Sequence, residues 1–297
     1  MQKLLIVDDS KTIRVALKNI ISKSNKFDPY YAESFKETKE LIEQHKFFAA
    51  IVDLELPDCA SGEAVNFTLA NKIPTIVLTS SMDNELRDKI ISMPIVDYIL
   101  KNGTEEINSA IEMAENLLLF IGQRVLIIDD SRTFRTLLKV CFESLLFEVV
   151  EADSPSSALE ILVNDKNFKI ITIDYEMPEM NGIGLLQKIR SLKFTTVPIF
   201  FGISGSDDGK IRSSFLKNGT NDVFTKPFAK EEFNAKICNL IKLKNKEDEL
   251  AKYVDTVDRY VISSITDLEG KITYVSEAFC EVSGYTKDEL IGKNHRI

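Results

Sequence analysis

The sequence predicts an α/β protein built from two doubly wound parallel sheets in tandem, each of the (βα)5 type. Short apolar runs without polar alternation (LLIV, AAIV, PTIVL and DYIL) are typical of parallel strands that are buried on both faces. Segments with helical periodicity separate these runs, and the whole alternation then occurs a second time. Ligands of such folds bind beyond the carboxyl ends of the strands, so the residues after each run are the functional candidates.

The helices and strands follow in the order that this fold requires. In the first half, RVALKNIISK has the periodicity of a helix, and the next helix begins at SFKE (34–37), a capping-box pattern. In the second half the strands are VLII, KIITI, PIFFGI and DVFT, and the second helix begins at SPSS, with a serine cap before proline. The last helix of the first half, about 104–121, leads almost directly into the strand at Arg124. We therefore expect a fixed mutual orientation of the two halves.

Four chemically distinct positions recur in the same order, which defines a first and a second copy of one unit. Asp8-Asp9 return as Asp129-Asp130, and Asp53 returns as Asp174, both after an interval of 121 residues. Thr79 corresponds to Ser204 and Lys101 to Lys226, after a slightly longer interval. All of these residues stand at the carboxyl ends of predicted strands. They should therefore meet in one crevice per copy.

Composition excludes several classes of protein. The chain has 297 residues and a formal net charge of -9, which argues against nonspecific binding to nucleic acid or to an anionic membrane surface. Its four cysteines form no CxxC pair, which is typical of reduced thiols in a cytoplasmic protein. The apolar run LLLFI at 117–121 is too short to cross a bilayer.

Three carboxylates and one ammonium group in a single crevice suit a hard divalent cation together with a phosphoryl group. Aspartate oxygens are good ligands of Mg²⁺, which commonly completes its shell with water and phosphate. The cation would screen the central aspartate from the charge of the phosphoryl group, so that the carboxylate can attack phosphorus and form an acyl phosphate. The lysine would balance the added charge, and the hydroxyl group would donate to a phosphoryl oxygen.

The set DD…D…T/S…K resembles the receiver domains of two-component response regulators, over residues 1 to about 240 in two copies. The stretches DYEMPEMNGIGLL (174–186) and TKPF (225–228) carry the resemblance most specifically. It implies flavodoxin-like folds, one Mg²⁺ per receiver and phosphoryl transfer from a cognate sensor histidine kinase or phosphotransfer protein. By position, it implies phosphoacceptors at Asp53 and Asp174, direct metal ligands at Asp9 and Asp130, water-mediated ligands at Asp8 and Asp129, metal-binding backbone carbonyls at Glu55 and Glu176, switch hydroxyls at Thr79 and Ser204, and phosphate-contacting lysines at Lys101 and Lys226.

Two departures from the family pattern distinguish the copies. Receivers usually have an aromatic residue three positions before the lysine, and it swings inward when the switch hydroxyl contacts phosphate. The first copy has Tyr98 there, which we expect to act as a switch, whereas the second has Val223. Conversely, Lys226 is followed by proline, but Lys101 is followed by Asn102. We expect both pockets to be chemically complete.

The remainder of the chain resembles a signalling linker and the start of a PAS domain. Apolar residues occupy the a and d positions of one heptad frame, with Glu247 as the polar interruption, which predicts a helix that pairs with its twin in a homodimer. The alternative is one amphipathic helix packed on the receiver. These apolar positions are Leu240, Leu243, Leu250, Val254, Val257 and Val261.

A strand, a DLEG turn, a second strand and SEAFCEVSGY then resemble the first half of a PAS sensor domain, which we expect to continue beyond Ile297. The expected boundaries are 1–121 and 122–240 for the receivers, 241–258 for the linker and 259–297 for the PAS segment.

Tandem receivers before a PAS segment resemble the regulatory half of a two-component diguanylate cyclase, although no GGDEF-like segment is present. We expect no enzyme in these residues beyond self-catalysed phosphoryl transfer. A hybrid histidine kinase is the alternative output, and a non-phosphorylated scaffold of receiver folds is an alternative of another class. A dehalogenase-type phosphatase would not explain the DD pair, and a nucleotide-binding domain would need a glycine-rich loop after the first strand.

Overall fold

The computed structural model describes residues 1–59, 62–80, 90 and 93–294, without the side chain of Thr104. The chain divides into two compact units, Met1–Ile237 and Cys238–Ile297. The first unit contains two five-stranded parallel sheets, and the second contains a two-stranded antiparallel sheet. Two doubly wound α/β folds in tandem are therefore confirmed.

The first copy is a parallel sheet with helices on both faces. Its elements are β1 (Gln2–Val7), α1 (Lys11–Ser24), β2 (Phe27–Ala32), α2 (Phe35–Gln44), β3 (Ala49–Asp53), α3 (Glu63–Ala70), β4 (Thr75–Thr79), β5 (Asp97–Leu100) and α4 (Thr104–Phe120). The strand order is β2-β1-β3-β4-β5. Helix α1 packs on α4, and α2 packs on α3.

The second copy repeats this arrangement after a three-residue connection. Its elements are β6 (Arg124–Ile128), α5 (Arg132–Ser144), β7 (Glu148–Ala152), α6 (Pro155–Asn164), β8 (Ile170–Asp174), α7 (Gly182–Ser191), β9 (Ile199–Ser204), α8 (Gly209–Lys217), β10 (Asp222–Thr225) and α9 (Lys230–Tyr260). The strand order, β7-β6-β8-β9-β10, matches that of the first copy. In both sheets all strands are parallel, and the order in which they are added reverses between the first and the third strand, which opens a crevice at the carboxyl ends of these two strands.

The predicted helix starts are confirmed by their caps. The Ser34 hydroxyl accepts a hydrogen bond from the Glu37 backbone N–H (3.2 Å), and α2 follows it directly. The Ser154 hydroxyl accepts from the Ser157 N–H at the same distance, with Pro155 in the first turn of α6. Each cap satisfies a backbone donor that lacks a partner within its helix.

One detail of the strand prediction is wrong. Strands β3, β4, β8 and β9 are buried at every residue, as their apolar runs predict. The run DYIL, predicted to be buried on both faces, is only half-buried along all of β5. The reason is its position, because β5 is an edge strand that pairs with β4 alone.

Helix α9 continues far past the second sheet, as the sequence predicts. It spans 31 residues and ends at Tyr260. After it, β11 (Ser264–Thr266) and β12 (Ile272–Val275) form an antiparallel hairpin, followed by α10 (Glu277–Ser283) and α11 (Lys287–Leu290). Ile272, Val275 and Leu290 form the small core of this segment. Among the residues that the structure describes, no helix is long and apolar enough to cross a membrane.

Candidate functional site

The second copy brings its predicted acidic residues together at the carboxyl ends of adjacent strands. Asp129 follows β6, and Asp174 is the last residue of β8. One carboxylate oxygen of each, and one of Asp130, lie within 4.8 Å of one another. Asp129 and Asp174 are buried, whereas Asp130 is exposed at the rim. The cluster therefore offers hard oxygen ligands that solvent can reach from one side.

Lys226 holds the two buried carboxylates of this cluster. Its Nζ lies 2.7 Å from Asp129 Oδ2 and 2.7 Å from Asp174 Oδ1. Burial alone would lower the pKa of Lys226, but its hydrogen bonds to both aspartates raise it above the ordinary value. Burial raises the pKa of Asp174 to about 6; the Lys226 ammonium opposes this shift and the charge of Asp129 adds to it. The lysine thus compensates two carboxylates whose charge burial disfavours.

The first copy has the same geometry. Oxygens of Asp8, Asp9 and Asp53 lie within 4.8 Å of one another, and again only the second of the paired aspartates is exposed. Lys101 Nζ lies 2.7 Å from Asp8 Oδ2 and also bonds Asp53. Burial raises the pKa of Asp53 against the opposing effect of Lys101. A cavity of about 620 Å³ is lined by Asp9, Asp53 and Lys101, so these side chains are accessible to a small ligand.

The two glutamates predicted as backbone ligands lie beside the central aspartates. The Glu176 backbone N–H donates to Asp174 Oδ2 (3.1 Å), and the Glu55 N–H donates to Asp53 Oδ1 (3.3 Å). Both glutamate side chains are exposed. The backbone at these two residues therefore borders the acidic clusters, whereas the side chains face solvent.

The switch candidates lie at the ends of the next strands. Thr79 is the last residue of β4 and Ser204 the last of β9, and both are buried. The Ser204 hydroxyl donates to the Ser206 carbonyl (2.8 Å), so it is engaged with its own loop. The half-buried Tyr98 directs its hydroxyl group to Glu231 Oε1 of α9, at 2.6 Å. Val223 occupies the corresponding position of the second copy and is buried.

Two arginines that the sequence did not mark as functional contact the acidic clusters. Arg14 Nη1 donates to the Asp8 carbonyl (2.6 Å), and Arg135 Nη1 donates to the Asp129 carbonyl (2.7 Å). Each arginine lies in the first turn of the following helix and holds the backbone carbonyl of a buried aspartate. The repeat could have indicated them, because Arg14 and Arg135 are separated by the same interval as the paired aspartates.

A further difference between the copies concerns the lysine. In the second copy the Lys226 ammonium lies 4.1 Å from the centre of the Phe134 ring, a cation–π contact. Ile13 stands at the corresponding position of the first copy and lines its cavity. Aliphatic Ile13 offers no aromatic face to Lys101, so the two lysines have different surroundings.

Comparison with known families matches both copies. The model of the response regulator receiver domain matches residues 4–112 and 125–238, and the PAS fold model matches residues 261–297. Both clusters of acids therefore lie within the matched receiver segments.

Individual relatives agree with this assignment. The crystal structure of a two-component system response regulator/GGDEF domain protein superposes with a TM-score of 0.76 and 30% identity, covering 82% of this chain and 100% of that one. The two-component response regulator ORR3 of Oryza sativa subsp. indica is 33% identical over 40% of this chain and 91% of its own length. The sensor histidine kinase TmoS of Ectopseudomonas mendocina is 27% identical over 56% of this chain. The matched segment spans only 21% of the length of that kinase. Because the receiver model matches two segments that together make up more than half of the chain, the chain belongs to the response regulator receiver domain family.

Proposed function

We propose that this chain is the phosphorylation-controlled part of a two-component response regulator. A sensor histidine kinase or a phosphotransfer protein would donate a phosphoryl group to Asp174, to Asp53 or to both. The observation that supports this most directly is the second pocket, in which buried Asp174 lies 2.7 Å from the Lys226 ammonium and beside exposed Asp130. A nucleophile, a fixed cation and a solvent-facing acid are what phosphoryl transfer to a carboxylate requires.

The proposed transfer balances without any further reactant. An oxygen of the aspartate attacks the phosphorus of a phosphohistidine, so a carboxylate O–P bond forms as the donor's N–P bond breaks. The imidazole nitrogen keeps the bonding electron pair. Lys226 or Lys101 then compensates the charge of the acyl phosphate. Water later hydrolyses that phosphate, which restores the carboxylate and releases inorganic phosphate.

One Mg²⁺ per receiver is part of the proposal. The clusters around Asp53 and Asp174 fit this ion because their oxygens are hard ligands within 4.8 Å of one another. When bound, the ion would reduce the repulsion between the aspartate and the phosphoryl group. The proposed ligands are Asp9, Asp53 and the Glu55 carbonyl in the first copy and Asp130, Asp174 and the Glu176 carbonyl in the second, with Asp8 and Asp129 acting through water.

The switch roles are proposed for Thr79 and Ser204. Both stand at the end of the strand beside the phosphoacceptor, where a short movement would let the hydroxyl donate to a phosphoryl oxygen. Tyr98 is the proposed aromatic partner of Thr79. The second copy would transmit its state by another route, since Val223 has no aromatic ring.

We further propose that the chain acts as a homodimer through α9. The heptad residues Leu243, Leu250, Val254 and Val257 are between 46% and 64% exposed, and they form an apolar stripe, interrupted at Glu247, that a second chain would cover. The alternative that the helix packs on its own receiver leaves this stripe unexplained. The proposed boundaries stay at 1–121, 122–240, 241–258 and 259–297.

The proposed output is a diguanylate cyclase, supported by the structural similarity to the response regulator/GGDEF domain protein. The match to a sensor histidine kinase keeps the receiver part of a hybrid kinase as the second candidate. We propose a cytoplasmic location, consistent with four cysteines that form no disulfide bond, and neither nucleic-acid nor membrane partners, consistent with the net charge of -9.

Incubation with acetyl phosphate and Mg²⁺ tests the proposal. We expect a gain of one phosphoryl group on each competent receiver, measured by intact mass and lost on treatment with hydroxylamine, which cleaves acyl phosphates. Asp174→Asn and Asp53→Asn should each remove the adduct of their own copy. Omission of Mg²⁺ should abolish both adducts.

The matched control is Asp28→Asn, which removes an exposed carboxylate outside both clusters and should leave labelling unchanged. If the wild-type chain gained no adduct on either aspartate, the scaffold alternative would replace phosphoryl transfer as the conclusion.

A further inference from the structure

The first turns of α9 lie against the edge strand of the other receiver. Asn234 Nδ2 donates to the Val96 carbonyl (2.9 Å), and Lys230 Nζ donates to the Ile95 carbonyl. Next to these contacts, the Tyr98 hydroxyl donates to Glu231 Oε1 (2.6 Å). A helix that leaves the second copy therefore makes three polar contacts with the first, one to β5 itself and two to the residues directly before it.

The same turns of α9 are also anchored in the second copy. Phe233 is fully buried, and its ring centroid lies 4.8 Å from that of Phe142 and 5.4 Å from that of Phe224. Further along the helix, Lys236 Nζ donates to the Val223 carbonyl of β10 (3.0 Å). Helix α9 thus contacts the corresponding edge strands of both receivers, β5 and β10. A shift of either strand changes the surroundings of one helix.

The polar side chains of α9 at its contact with the first receiver are buried, so their pairing is specific. Asn234 is 1% exposed, and burial lowers the pKa of Lys230. Buried donors are costly when they lose their acceptors, which makes an alternative register of α9 on β5 unfavourable. We therefore expect the start of α9 to be either bonded to the first receiver or released from it, with few intermediate positions.

We propose that Tyr98 is a latch through which α9 reads the phosphorylation state of the first receiver directly, without passing through the second receiver's pocket. This inference rests on the proposed function of Asp53. Strand β5 pairs with β4, in the register Val77 to Tyr98 and Thr79 to Leu100. When Thr79 moves toward a phosphoryl group on Asp53 and the Tyr98 ring follows it inward, the hydrogen bond to Glu231 breaks.

The coupling is reciprocal. If inward movement of Tyr98 releases Glu231, then removal of the bond to Glu231 favours the inward position and strengthens binding of the phosphoryl group or its mimic at Asp53. Val223 has no hydroxyl group, so the second receiver has no equivalent of this bond at that position.

The test uses the full chain with Asp174→Asn, so that only the first receiver binds beryllofluoride with Mg²⁺. Fluorine NMR measures binding at Asp53, and hydrogen–deuterium exchange measures the opening of residues 230–237. We expect beryllofluoride to speed exchange there several-fold. Tyr98→Phe should show fast exchange without the mimic and bind it roughly fivefold more tightly, as expected for one lost hydrogen bond.

Three further variants define the contact. Glu231→Ala should behave as Tyr98→Phe does, whereas Glu231→Gln, which keeps an acceptor oxygen, should retain the response of the parent chain. Tyr30→Phe, a half-buried tyrosine on β2, is the matched control and should change neither readout. Binding at Asp53 with unchanged exchange at 230–237, or equal behaviour of Tyr98→Phe and the parent, would overturn the latch and leave the proposed function intact. Absence of binding at Asp53 in every variant would overturn both for this receiver.

Discussion

Asp97 and Asp174 both have a pKa raised to about 6, chiefly by burial, but they lie in different surroundings. Asp174 faces a pocket with its own lysine. Asp97 lies at the contact between the two receivers, where the Tyr98 N–H, Asn234 and Lys230 oppose the shift of its pKa and the charge of Glu231 adds to it. A carboxyl group at such a contact makes the contact sensitive to pH.

We expect the free energy of unfolding to fall as the pH rises from about 4 to about 6. The folded state binds the Asp97 proton more tightly than the unfolded state, so this contribution is complete below the ordinary pKa and is lost as the pH passes through the raised pKa. A rise in the pKa of Asp97 from 3.8 to about 6 corresponds to roughly 2–3 kcal/mol of unfolding free energy. Asp97→Asn should remove the part of this dependence that Asp97 contributes and leave the part that comes from the raised pKa values of Asp174 and Asp53, measured by urea unfolding at pH 4.5 and pH 7.5. The same pH dependence in both proteins would assign it to other groups.

Helix α9 illustrates how one element can be buried at its start and exposed along its remainder. Phe233 and Ile237 are fully buried, whereas Leu243, Leu250 and Val254 are each more than half exposed. Exposed leucines on a regular heptad stripe contribute little to a single chain, but they would form the core of a pair of helices. The start of this helix therefore belongs to a receiver core, and its remainder offers an apolar surface to a second chain.

Leu250→Asp should raise the dissociation constant of the dimer at least tenfold, because a charge would be buried at a d position of the paired helices. Sedimentation velocity over a range of concentrations measures this. Leu268→Asp is the matched control, since Leu268 is fully exposed but lies outside the stripe. A dimer that tolerates Leu250→Asp, or a monomeric wild-type chain, would contradict pairing through α9.

The two receivers form one compact unit, Met1–Ile237, and not two separate bodies. Phe120, at the end of α4, stacks on Phe147 of the second copy with centroids 4.9 Å apart, and Phe147 in turn meets Phe142 at 5.6 Å. An aromatic path therefore runs from the last helix of the first receiver into α5 of the second. Together with the contacts of α9 on β5, it links the stability of each receiver to that of the other.

We expect Phe120→Ala to lower the stability of both receivers, by about 3–5 kcal/mol in total, since a fully buried ring is removed. Hydrogen exchange of α5, which lies in the second copy, should become faster. Phe27→Ala removes an equally buried ring from β2 and should leave exchange in α5 much less affected. Unchanged exchange of α5 in Phe120→Ala would show that the receivers open independently.

The acidic pockets could be predicted because their residues hold fixed places in a repeated pattern. Asp8, Asp53 and Lys101 each end or follow an apolar strand, and parallel strands bring their carboxyl ends to one edge whatever the details of packing. Arg14 and Arg135 were missed because their role is to bond backbone carbonyls, which leaves no composition signal apart from the repeat.

The half-burial of β5 could not be predicted from DYIL. Ile99 and Leu100 are as apolar as the residues of central strands, and only the strand order places them at an edge. Likewise, the partner of Tyr98 lies 133 positions away in Glu231. Nothing local in either segment favours that pairing, which arises from the way two folded copies dock.

The sequence by itself determined the two sheets, the residues of both pockets and the long helix after them, because strand burial, helical periodicity and strand-end position are properties of short segments. Only the tertiary structure decided that α9 of the second receiver lies on β5 of the first and that Tyr98 bonds Glu231. Those contacts depend on the shapes of two finished surfaces, and they form only where packing brings buried donors and acceptors together.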